Sequence, residues 1–484
     1  MIRFVFLVFI LASAVSALYA QSCIAPTDGM VITQSVRFCP GTYSLPNGVV
    51  VGADGITIDG GGAVLDGVNY LGFGVFINGH HNVTIKNLTA KRYYYAVRCE
   101  NSNFLKVESC NFSDNRVVAG NNIWLDINQN PVINSTAHLG GGIFIKGGWG
   151  HAITNNILRN QQNGIDLYYV NYSFIAENDA SYCYGWGIHL DNSSYNTVHH
   201  NRVLRGDRSC TYDSAGGQRC GNSGLDPSVG CGCDAASILM LRNCHHNVFT
   251  SNDLRWGGDG FFSGIGSQSE MSNYNYLAKN DGSHSPHNAF EYTFCHDILF
   301  EDNIANDSNY GFWLGYLYDS TVRRNVISAN DYGIAIEHGR RDIIESNLIT
   351  YNPYGIRLWT DNDSFNLQLP PDAIYSRDHI IRDNIITGGT AWGLRMRVYD
   401  SAGATTGCLI YNNYFSNTGN AYDQNTDASK PNIYNIAKTS GLNIAGGPYK
   451  GGNYWSDYTG VDNDGDKLGD TNLPHTSSGG IVLG

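Results

Sequence analysis

The sequence predicts an all-β protein, a single-stranded right-handed parallel β-helix with about 22 residues in each coil. A Gly-apolar-x-apolar phrase repeats along the chain, and Gly142 and Gly164 stand 22 residues apart. The same step separates Gly311, Gly333 and Gly355, and an apolar pair leading to asparagine repeats in phase with it. A fixed short period of this kind indicates a solenoid, in which each coil contacts only its neighbours.

Each Gly-led phrase alternates with period two, which is typical of a short strand with one buried face. A coil of this length holds about three strands, and stacked coils pair strand on strand at about 4.8 Å per coil. The alternation predicts an apolar core at the inward positions Ile143, Ile145, Ile165, Leu167, Ile188, Leu190, Phe312, Leu314, Ile334, Ile336, Ile356 and Leu358.

The in-phase asparagines predict a ladder of side-chain hydrogen bonds at one bend of the coil. The chain also contains 57 Gly and 31 Tyr with only 15 % charged residues, which favours a turn-rich β protein over a helical one. The asparagines are Asn156, Asn178, Asn201, Asn252, Asn280, Asn303, Asn325, Asn347, Asn384 and Asn413.

Breaks in the period divide the chain. Residues 1–20 combine a charged start, an apolar run and small residues, which predicts a signal peptide. We expect an N-terminal cap and first coil at 21–67, the β-helix at 68–420, and a C-terminal cap with an Asp-rich loop at 421–484. Stretches that break the repeat predict loops at 117–139, 207–234 and 361–378.

The signal peptide predicts a secreted protein, extracellular or periplasmic. Cysteines in such a chain favour disulfides, and the spacing suggests the pairs Cys23–Cys39 and Cys99–Cys110. Four more cysteines, at 210, 220, 231 and 233, could form disulfides or a zinc site. A net charge of -13 argues against nucleic acid as a partner, and no later segment is apolar enough to span a membrane.

The outward positions of the Gly-led strands predict two rows of side chains on one face. These rows concentrate acids, histidine, arginine and tryptophan, which indicates a binding groove. The first row reads Phe144, Asp166, His189, Leu239, Phe262, Glu291, Trp313, Ala335, Arg357 and Arg395, and the second reads Lys146, Tyr168, Asp191, Thr293, Gly315, Glu337, Trp359 and Arg397.

Two clusters within these rows are candidate sites. In the first cluster, adjacent coils bring carboxylates, an imidazole and a phenol close together. Side chains of these types at such short spacing suit a general acid and base. The second cluster spans four coils, where carboxylates two coils apart could reach the range for inverting glycoside hydrolysis. The first contains Asp166, Tyr168, His189 and Asp191, and the second contains Glu291, Trp313, Glu337, His338, Arg357 and Trp359. The residues predicted to bind substrate are Tyr168, Trp313, His338, Arg357, Trp359 and Arg395.

Two further features could bind metal. His284 and His287 lie at a bend before the Glu291 strand, where they could reach the groove, bind a metal or simply face water. In the tail, alternating carboxylates resemble the start of a calcium loop, although Lys467 stands where such a loop has glycine. The predicted structural Ca²⁺ ligands are Asp462, Asp464, Asp466 and Asp470.

The Gly-led phrases and the asparagine ladder resemble the β-helix region shared by NosD-like periplasmic proteins and many carbohydrate-active β-helix enzymes. The segment GGNYWSDYTGVDNDGDKLGD, from Gly451 to Asp470, looks like the terminal segment of NosD-type proteins. The resemblance covers about residues 70–450 and implies polysaccharide binding or processing. The chain lacks the Asp-Pro-His-Glu motif of mannuronan epimerases and the Gly-His-Gly turn of polygalacturonases.

These observations predict an extracellular enzyme that processes a polysaccharide laid along the outward face. In the hydrolase version, two of Asp166, Asp191, Glu291 and Glu337 act as acid and base. In a uronate lyase or C5-epimerase version, His189 or Tyr168 removes a proton while Arg357 or Arg395 neutralises the carboxylate. A non-catalytic NosD-like carbohydrate-binding protein is the third possibility. We expect a monomer that requires no cofactor for its chemistry.

Overall fold

A computed structural model describes residues 22–117, 140–206, 235–264, 270–361, 375–398, 403–476 and 482–483. Its strands pair in parallel from coil to coil and form a right-handed parallel β-helix, as the repeat predicted. No α-helix occurs in these ranges. None of the described residues belongs to a helix with the length and apolar character needed to cross a membrane.

The largest sheet, here called the front sheet, contains the Gly-led phrases. Each strand pairs with the equivalent strand of the coils before and after it. Its fifteen strands are Met30–Ile32, Val49–Val51, Phe73–Asn78, Tyr95–Glu100, Gly141–Lys146, Asn163–Tyr168, Trp186–Asp191, Ala236–Leu241, Asp259–Gly264, Asn288–Tyr292, Tyr310–Gly315, Tyr332–Glu337, Tyr354–Thr360, Trp392–Val398 and Gly419–Asp423.

The back sheet follows the front sheet in each coil. Its fourteen strands are Val36–Arg37, Thr57–Asp59, Thr84–Lys86, Lys106–Glu108, Ala152–Thr154, Phe174–Ala176, Thr197–His199, Val248–Thr250, Tyr276–Ala278, Leu299–Glu301, Thr321–Arg323, Ile343–Glu345, Ile380–Arg382 and Leu409–Tyr411.

On the third side of the coil, strands pair in two separate runs, and isolated parallel bridges continue the pairing between them. Near the N-terminus the strands are Gly41–Ser44, Ala63–Asp66 and Thr89–Lys91, and later they are Ile304–Asn306, Val326–Ser328, Leu348–Thr350, Ile385–Thr387, Tyr414–Ser416 and Tyr454–Trp455. Three small two-stranded sheets pair Cys295–His296 with Leu317–Tyr318, Thr439–Ser440 with Tyr449–Lys450, and His475–Thr476 with Val482–Leu483.

The predicted core is confirmed. All twelve inward residues named above are fully buried in one continuous apolar cluster. Isoleucine and valine suit these positions because branched side chains pack well on a pleated surface. The interior of the solenoid is therefore a packed apolar column, and the candidate chemistry lies on its outside.

The predicted asparagine ladder is also confirmed. From Asn156 onwards, each Nδ2 donates to the Oδ1 of the next asparagine at 2.9–3.1 Å. The ladder extends one step beyond the prediction, from Asn413 to Asn453 at 3.0 Å. Each Nδ2 also donates to a backbone carbonyl, for example from Asn178 to Ile153 at 2.9 Å. Buried amides at this bend are thus paired along most of the stack.

The predicted loops lie almost wholly outside the described residues, and so do the signal peptide and the cysteines at 210, 220, 231 and 233. Strand pairing nevertheless bridges the loops, since Arg98 pairs with Phe144 and Arg357 pairs with Arg395. At the N-terminus, Met30–Ile32 already pairs with Val49–Val51, so stacking begins inside the segment expected to contain the N-terminal cap and first coil.

The disulfide between Cys23 and Cys39 is confirmed. The predicted pair Cys99–Cys110 is wrong, because both residues are free and buried. Cys99 points inward from the front sheet, whereas the Cys110 thiol contacts the carbonyl oxygen of Glu108 at 3.3 Å beyond the back sheet. Burial raises the pKa of each thiol to about 12, so neither is a ready nucleophile.

Candidate functional site

The front sheet aligns outward side chains in the register that the sequence predicted. Asp166 pairs with His189, and Glu291 pairs with Trp313 on the next strand. A third outward row, which the sequence analysis missed, lies at the start of each strand. Its larger members are Tyr95, Asn163, Trp186, Asp259, Asn288, Tyr310, Tyr332, Tyr354 and Trp392.

The first candidate cluster is buried, so the expectation that it faces solvent is wrong. Asp166 is 1 % exposed, and its Oδ2 accepts a hydrogen bond from the Tyr95 hydroxyl at 3.0 Å. Its Oδ1 lies 3.4 Å from His189 Nδ1. The His189 ring packs between Tyr168 and Trp186, with centroids 5.1 and 4.9 Å away. The third row thus covers this cluster from one side.

Asp191 and Tyr168 are buried as well. Asp191 forms an ion pair with Arg242 and accepts a hydrogen bond from Asn192 Nδ2 at 2.6 Å. Burial raises the pKa of Tyr168 well above its usual range, and the nearby Asp166 carboxylate adds to this shift. A phenol that holds its proton this tightly is a poor base near neutral pH. These contacts favour a structural role for the cluster.

The second candidate cluster is partly open to solvent. Glu337 projects from the strand Tyr332–Glu337, and its Oε1 accepts a hydrogen bond from Trp359 Nε1 at 3.1 Å. Trp313 lies across the face from Trp359, with ring centroids 5.5 Å apart. Glu337 follows Gly315 in register, and the small glycine leaves room beside the carboxylate.

Tyrosines and arginines form a surface beside Glu337. Tyr310, Tyr332 and Tyr354 stack on successive coils at 4.7 and 5.0 Å. The Arg357 guanidinium lies 5.0 Å from the Tyr332 ring centre and 4.1 Å from the Trp359 ring centre. Arg395 lies 4.9 Å from the Tyr354 ring. Cations held over aromatic faces in this way present their remaining N–H groups to a ligand.

Two members of this cluster are buried, contrary to the prediction that they contact substrate. His338 is fully buried, stacks on Tyr316 at 4.5 Å, and lies with its Nε2 2.9 Å from Asp361 Oδ1. Trp359 is 3 % exposed. His338 can orient Asp361, and Trp359 can orient Glu337. Neither buried side chain exposes enough surface to form a large contact with a ligand.

Asp361 is a candidate residue that the sequence analysis missed. Carboxylate oxygens of Glu337 and Asp361 lie within 4.8 Å of each other and of the His338 imidazole. Burial, with the hydrogen bond and negative charge of Asp361, raises the pKa of Glu337 to about 8. Burial acts to raise the pKa of Asp361, but hydrogen bonds from Glu337 and His338 outweigh it and lower that pKa. Near neutral pH this pair therefore holds one proton, on Glu337.

The two predicted clusters cannot act together. Six coil steps separate the strands of His189 and Arg357, which is about 29 Å at about 4.8 Å per step. A proton removed by His189 or Tyr168 therefore cannot belong to a sugar whose carboxylate contacts Arg357 or Arg395. This distance rules out the combined lyase site that the sequence suggested.

Three groups of potential metal ligands occur among the described residues. Each of the first two combines one histidine with two carboxylates, and the third is made of carboxylates alone. The groups are Asp259, His287 and Glu291; Glu337, His338 and Asp361; and Asp462, Asp464 and Asp466.

The predicted calcium loop is partly assembled. Asp462, Asp464 and Asp466 converge, while Asp470 is outside the group and accepts a hydrogen bond from the Asn463 N–H at 2.6 Å. Lys467 adopts a left-handed conformation with φ of 67°, the turn for which calcium loops use glycine. The Lys438 ammonium forms an ion pair with Asp466, so a cation would have to displace it.

Several solved structures resemble this chain in fold at low sequence identity. The A-module of mannuronan C-5 epimerase AlgE6 from Azotobacter vinelandii is 12 % identical with a TM-score of 0.39, over 81 % of this chain and 88 % of that one. A lacto-N-biosidase from Eubacterium ramulus is 12 % identical with a TM-score of 0.41, over 74 % and 62 %. An alginate lyase from Paenibacillus is 11 % identical with a TM-score of 0.32, over 76 % and 91 %.

No curated protein sequence matches the chain significantly. A family profile does, over residues 47–224 and 237–460, which together span most of the stacked coils and the start of the C-terminal cap. The profile is described as periplasmic copper-binding protein (NosD), in agreement with the resemblance of the Gly-led phrases and the tail. The chain belongs to the NosD family.

Proposed function

We propose that the protein is a polysaccharide-processing enzyme of the glycoside hydrolase type, with Glu337 and Asp361 as its catalytic carboxyl groups. The observation that carries the proposal is the opposite shift of two adjacent pKa values on a partly open, aromatic-lined face. Neighbouring carboxyl groups whose pKa values are driven apart are the usual arrangement for one acid and one base.

In this mechanism Glu337 keeps its proton at neutral pH and donates it to the glycosidic oxygen as the bond to the leaving sugar breaks. Asp361 is ionised and attacks the anomeric carbon, and water then releases the sugar with Glu337 as base. A hydrogen bond joins the two carboxyl groups, so they must move apart when substrate binds to reach the about 5–5.5 Å of retaining enzymes, and the wider spacing of inverting enzymes is further away.

The surroundings support a polymeric substrate. The tyrosine stack continues from coil to coil along the helix axis and ends beside Trp392 on the following strand. Trp313 adds a second aromatic surface next to Glu337. Aromatic faces pack on sugar rings, and the arginines Arg357 and Arg395 suit carboxylates of acidic sugars. We propose an acidic polysaccharide that runs along this face.

A uronate lyase or C5-epimerase is the second candidate, favoured by the register of Arg357 beside Arg395. Two adjacent guanidinium groups can neutralise a uronate carboxylate and so lower the barrier to removal of the C5 proton. In this version the base must come from the same coils, and the ionised carboxylate of Asp361 is the available group. Products distinguish the two activities, since a lyase creates unsaturated uronates.

Copper binding by a non-catalytic protein is the alternative suggested by the family description. Cu(I) prefers thiolate and thioether ligands. The described free cysteines are all buried, and among the described residues no metal-ligand group contains a cysteine or a second histidine. These ligands fit Cu(I) poorly, and we assign no copper step.

We further propose a location in the periplasm or outside the cell. The disulfide between Cys23 and Cys39 and the periplasmic family fit that location. We also propose that the protein is a monomer and that Asp462, Asp464 and Asp466 bind a structural Ca²⁺.

The test is a polysaccharide panel that measures new reducing ends and absorbance of unsaturated uronates. For any active substrate, Glu337→Gln and Asp361→Asn are each expected to lower kcat by at least about 100-fold. Glu345→Gln is the matched control, because Glu345 pairs with Arg382 on the back sheet. Full activity in both site variants would overturn the residue assignment, and a silent panel with binding alone would favour the non-catalytic alternative.

A further inference from the structure

A histidine and two carboxylates converge two coils before Glu337. Asp259 is the first residue of Asp259–Gly264, and Glu291 lies on the next strand, Asn288–Tyr292. His287 directly precedes that strand and is partly exposed, so one side of the group is open to solvent. The group shares no residue with the pair Glu337 and Asp361.

The spacing of these atoms suits a bound ion. His287 Nδ1 lies 2.9 Å from Asp259 Oδ1 and 3.7 Å from Glu291 Oε2. Ligands about 2.0–2.1 Å from a tetrahedral ion lie about 3.4 Å from one another, between these two distances. All three residues place a ligand atom within 4.8 Å of the others. Small side-chain rotations would bring the three atoms to equal distances from a central ion.

Buried oxygen atoms in the group are unsatisfied. Asp259 is fully buried, and its Oδ1 accepts the backbone N–H of Asn288 at 2.9 Å, which fixes the carboxylate. Asp259 Oδ2 and Asn288 Oδ1 are both buried and find no hydrogen-bond partner among the described residues. A buried carboxylate oxygen without a partner is costly, and a cation beside it would remove that cost.

We propose that Asp259, His287 and Glu291 form a binding site for Zn²⁺. Imidazole favours such an ion over Mg²⁺ or Ca²⁺, which prefer oxygen ligands alone. The absence of sulfur from this ligand set disfavours Cu(I). The backbone N–H of Asn288 orients the Asp259 carboxylate from outside the ligand set.

A second histidine–aspartate pair shows what an ordinary ion pair looks like in the same coil. His284 Nδ1 lies 3.0 Å from Asp307 Oδ2, nearly the distance in the His287–Asp259 pair. The Asp307 side chain is 54 % exposed, whereas that of Asp259 is 0 % exposed. Water can satisfy the first pair but reaches only the His287 side of the second. His284 therefore provides a matched control.

Three protein ligands leave at least one coordination position for a water or ligand oxygen. Glu291 pairs in register with Trp313, so the ion would lie one coil from the aromatic surface beside Glu337. An acidic group of a ligand bound on that surface is then a candidate for the remaining position. Metal binding itself requires no substrate and can be measured on the protein alone.

The experiment is calorimetric titration of the metal-stripped full-length protein with Zn²⁺, repeated in His287→Gln, Glu291→Gln, His284→Gln and Glu337→Gln. We expect the wild type and His284→Gln to bind one equivalent of Zn²⁺. His287→Gln and Glu291→Gln should bind this equivalent at least about 10-fold more weakly. Mg²⁺ at the same concentrations should not compete. Co²⁺ absorption gives an independent readout, since its d–d bands should fall in His287→Gln and persist in His284→Gln.

Three results would overturn the proposal. They are no Zn²⁺ binding by the wild type, equal binding by all variants, and loss of the equivalent only in Glu337→Gln, which would move the site to the other group. Circular dichroism of each variant shows whether it is folded. His287→Gln and Glu291→Gln alter partly exposed side chains, so the test does not rely on changing the buried Asp259.

Discussion

Replacing one asparagine in the ladder should destabilise the stack strongly. Asn325 is fully buried and makes four hydrogen bonds through its side chain. Its Nδ2 donates to the Phe300 carbonyl at 3.2 Å and to Asn347 Oδ1 at 3.0 Å. Its Oδ1 accepts from the backbone N–H and the Nδ2 of Asn303, at 2.9 and 3.1 Å.

Asn325→Ala removes all four bonds but does not affect the four partner groups equally. The Asn303 N–H loses its acceptor in a buried position, which costs about 1–3 kcal/mol. Each of the other three bonds contributes about 0.5–1.5 kcal/mol, because the partners keep some of their other hydrogen bonds. We therefore expect a loss of about 3–7 kcal/mol in the free energy of unfolding.

The assay is guanidinium unfolding followed by circular dichroism, with native-state amide exchange at Asn303. Exchange at this amide should accelerate in Asn325→Ala, because its backbone N–H is no longer bonded. The control is Asn47→Ala, which removes an exposed hydrogen bond to Asp28 and should cost less than about 1 kcal/mol. A loss below about 1 kcal/mol in Asn325→Ala would refute the view that the ladder stabilises the coils.

Three further predictions concern the candidate sites. Arg242→Leu should destabilise the protein by about 3–5 kcal/mol in thermal unfolding at pH 7, because it leaves Asp191 as an unpaired buried charge, and unchanged stability would contradict the buried ion pair. The raised pKa of Glu337 means that the folded state binds more protons than the unfolded state between pH 4.5 and about 8. Wild-type stability should therefore fall as the pH rises through this range. Glu337→Gln should remove this part of the pH dependence of stability. Its upper bound is about 5 kcal/mol, at 1.36 kcal/mol for each tenfold change in proton affinity, and an unchanged pH dependence would argue against the raised pKa. Added Ca²⁺ should raise the Tm through Asp462 and its neighbours and should not do so in Asp462→Asn, whereas an unaltered wild-type Tm would count against structural calcium.

The periodic features could be predicted because one spacing determines them. The glycine phrases gave the register in which Glu291 meets Trp313, and the asparagines gave the ladder. Alternation also separated the core from the outside, since Ile165 and Leu167 point inward. These features depend only on position within a coil, so they transfer directly from sequence to structure.

Burial and cross-coil contacts could not be predicted in the same way. Asp166 and His189 point outward as expected, but aromatic residues of the third row close over them. Asp361 was missed because it follows the last strand residue before a break in the repeat. Asp259 and His287 meet only because their coil is longer than 22 residues, and a strict period places them out of step.

Both ends of the front sheet are strand edges, at Met30–Ile32 and Gly419–Asp423. A stack of identical coils offers at each edge a template on which a second copy could add in register. The Cys23–Cys39 disulfide tethers the chain at one edge. At the other edge, Asn420 Nδ2 donates to Ser456 Oγ at 3.1 Å and to Asp457 Oδ1 at 2.7 Å as the chain turns across the last coil. These terminal contacts are expected to keep the solenoid from polymerising end to end, so losing them would produce fibres even if every coil remained folded.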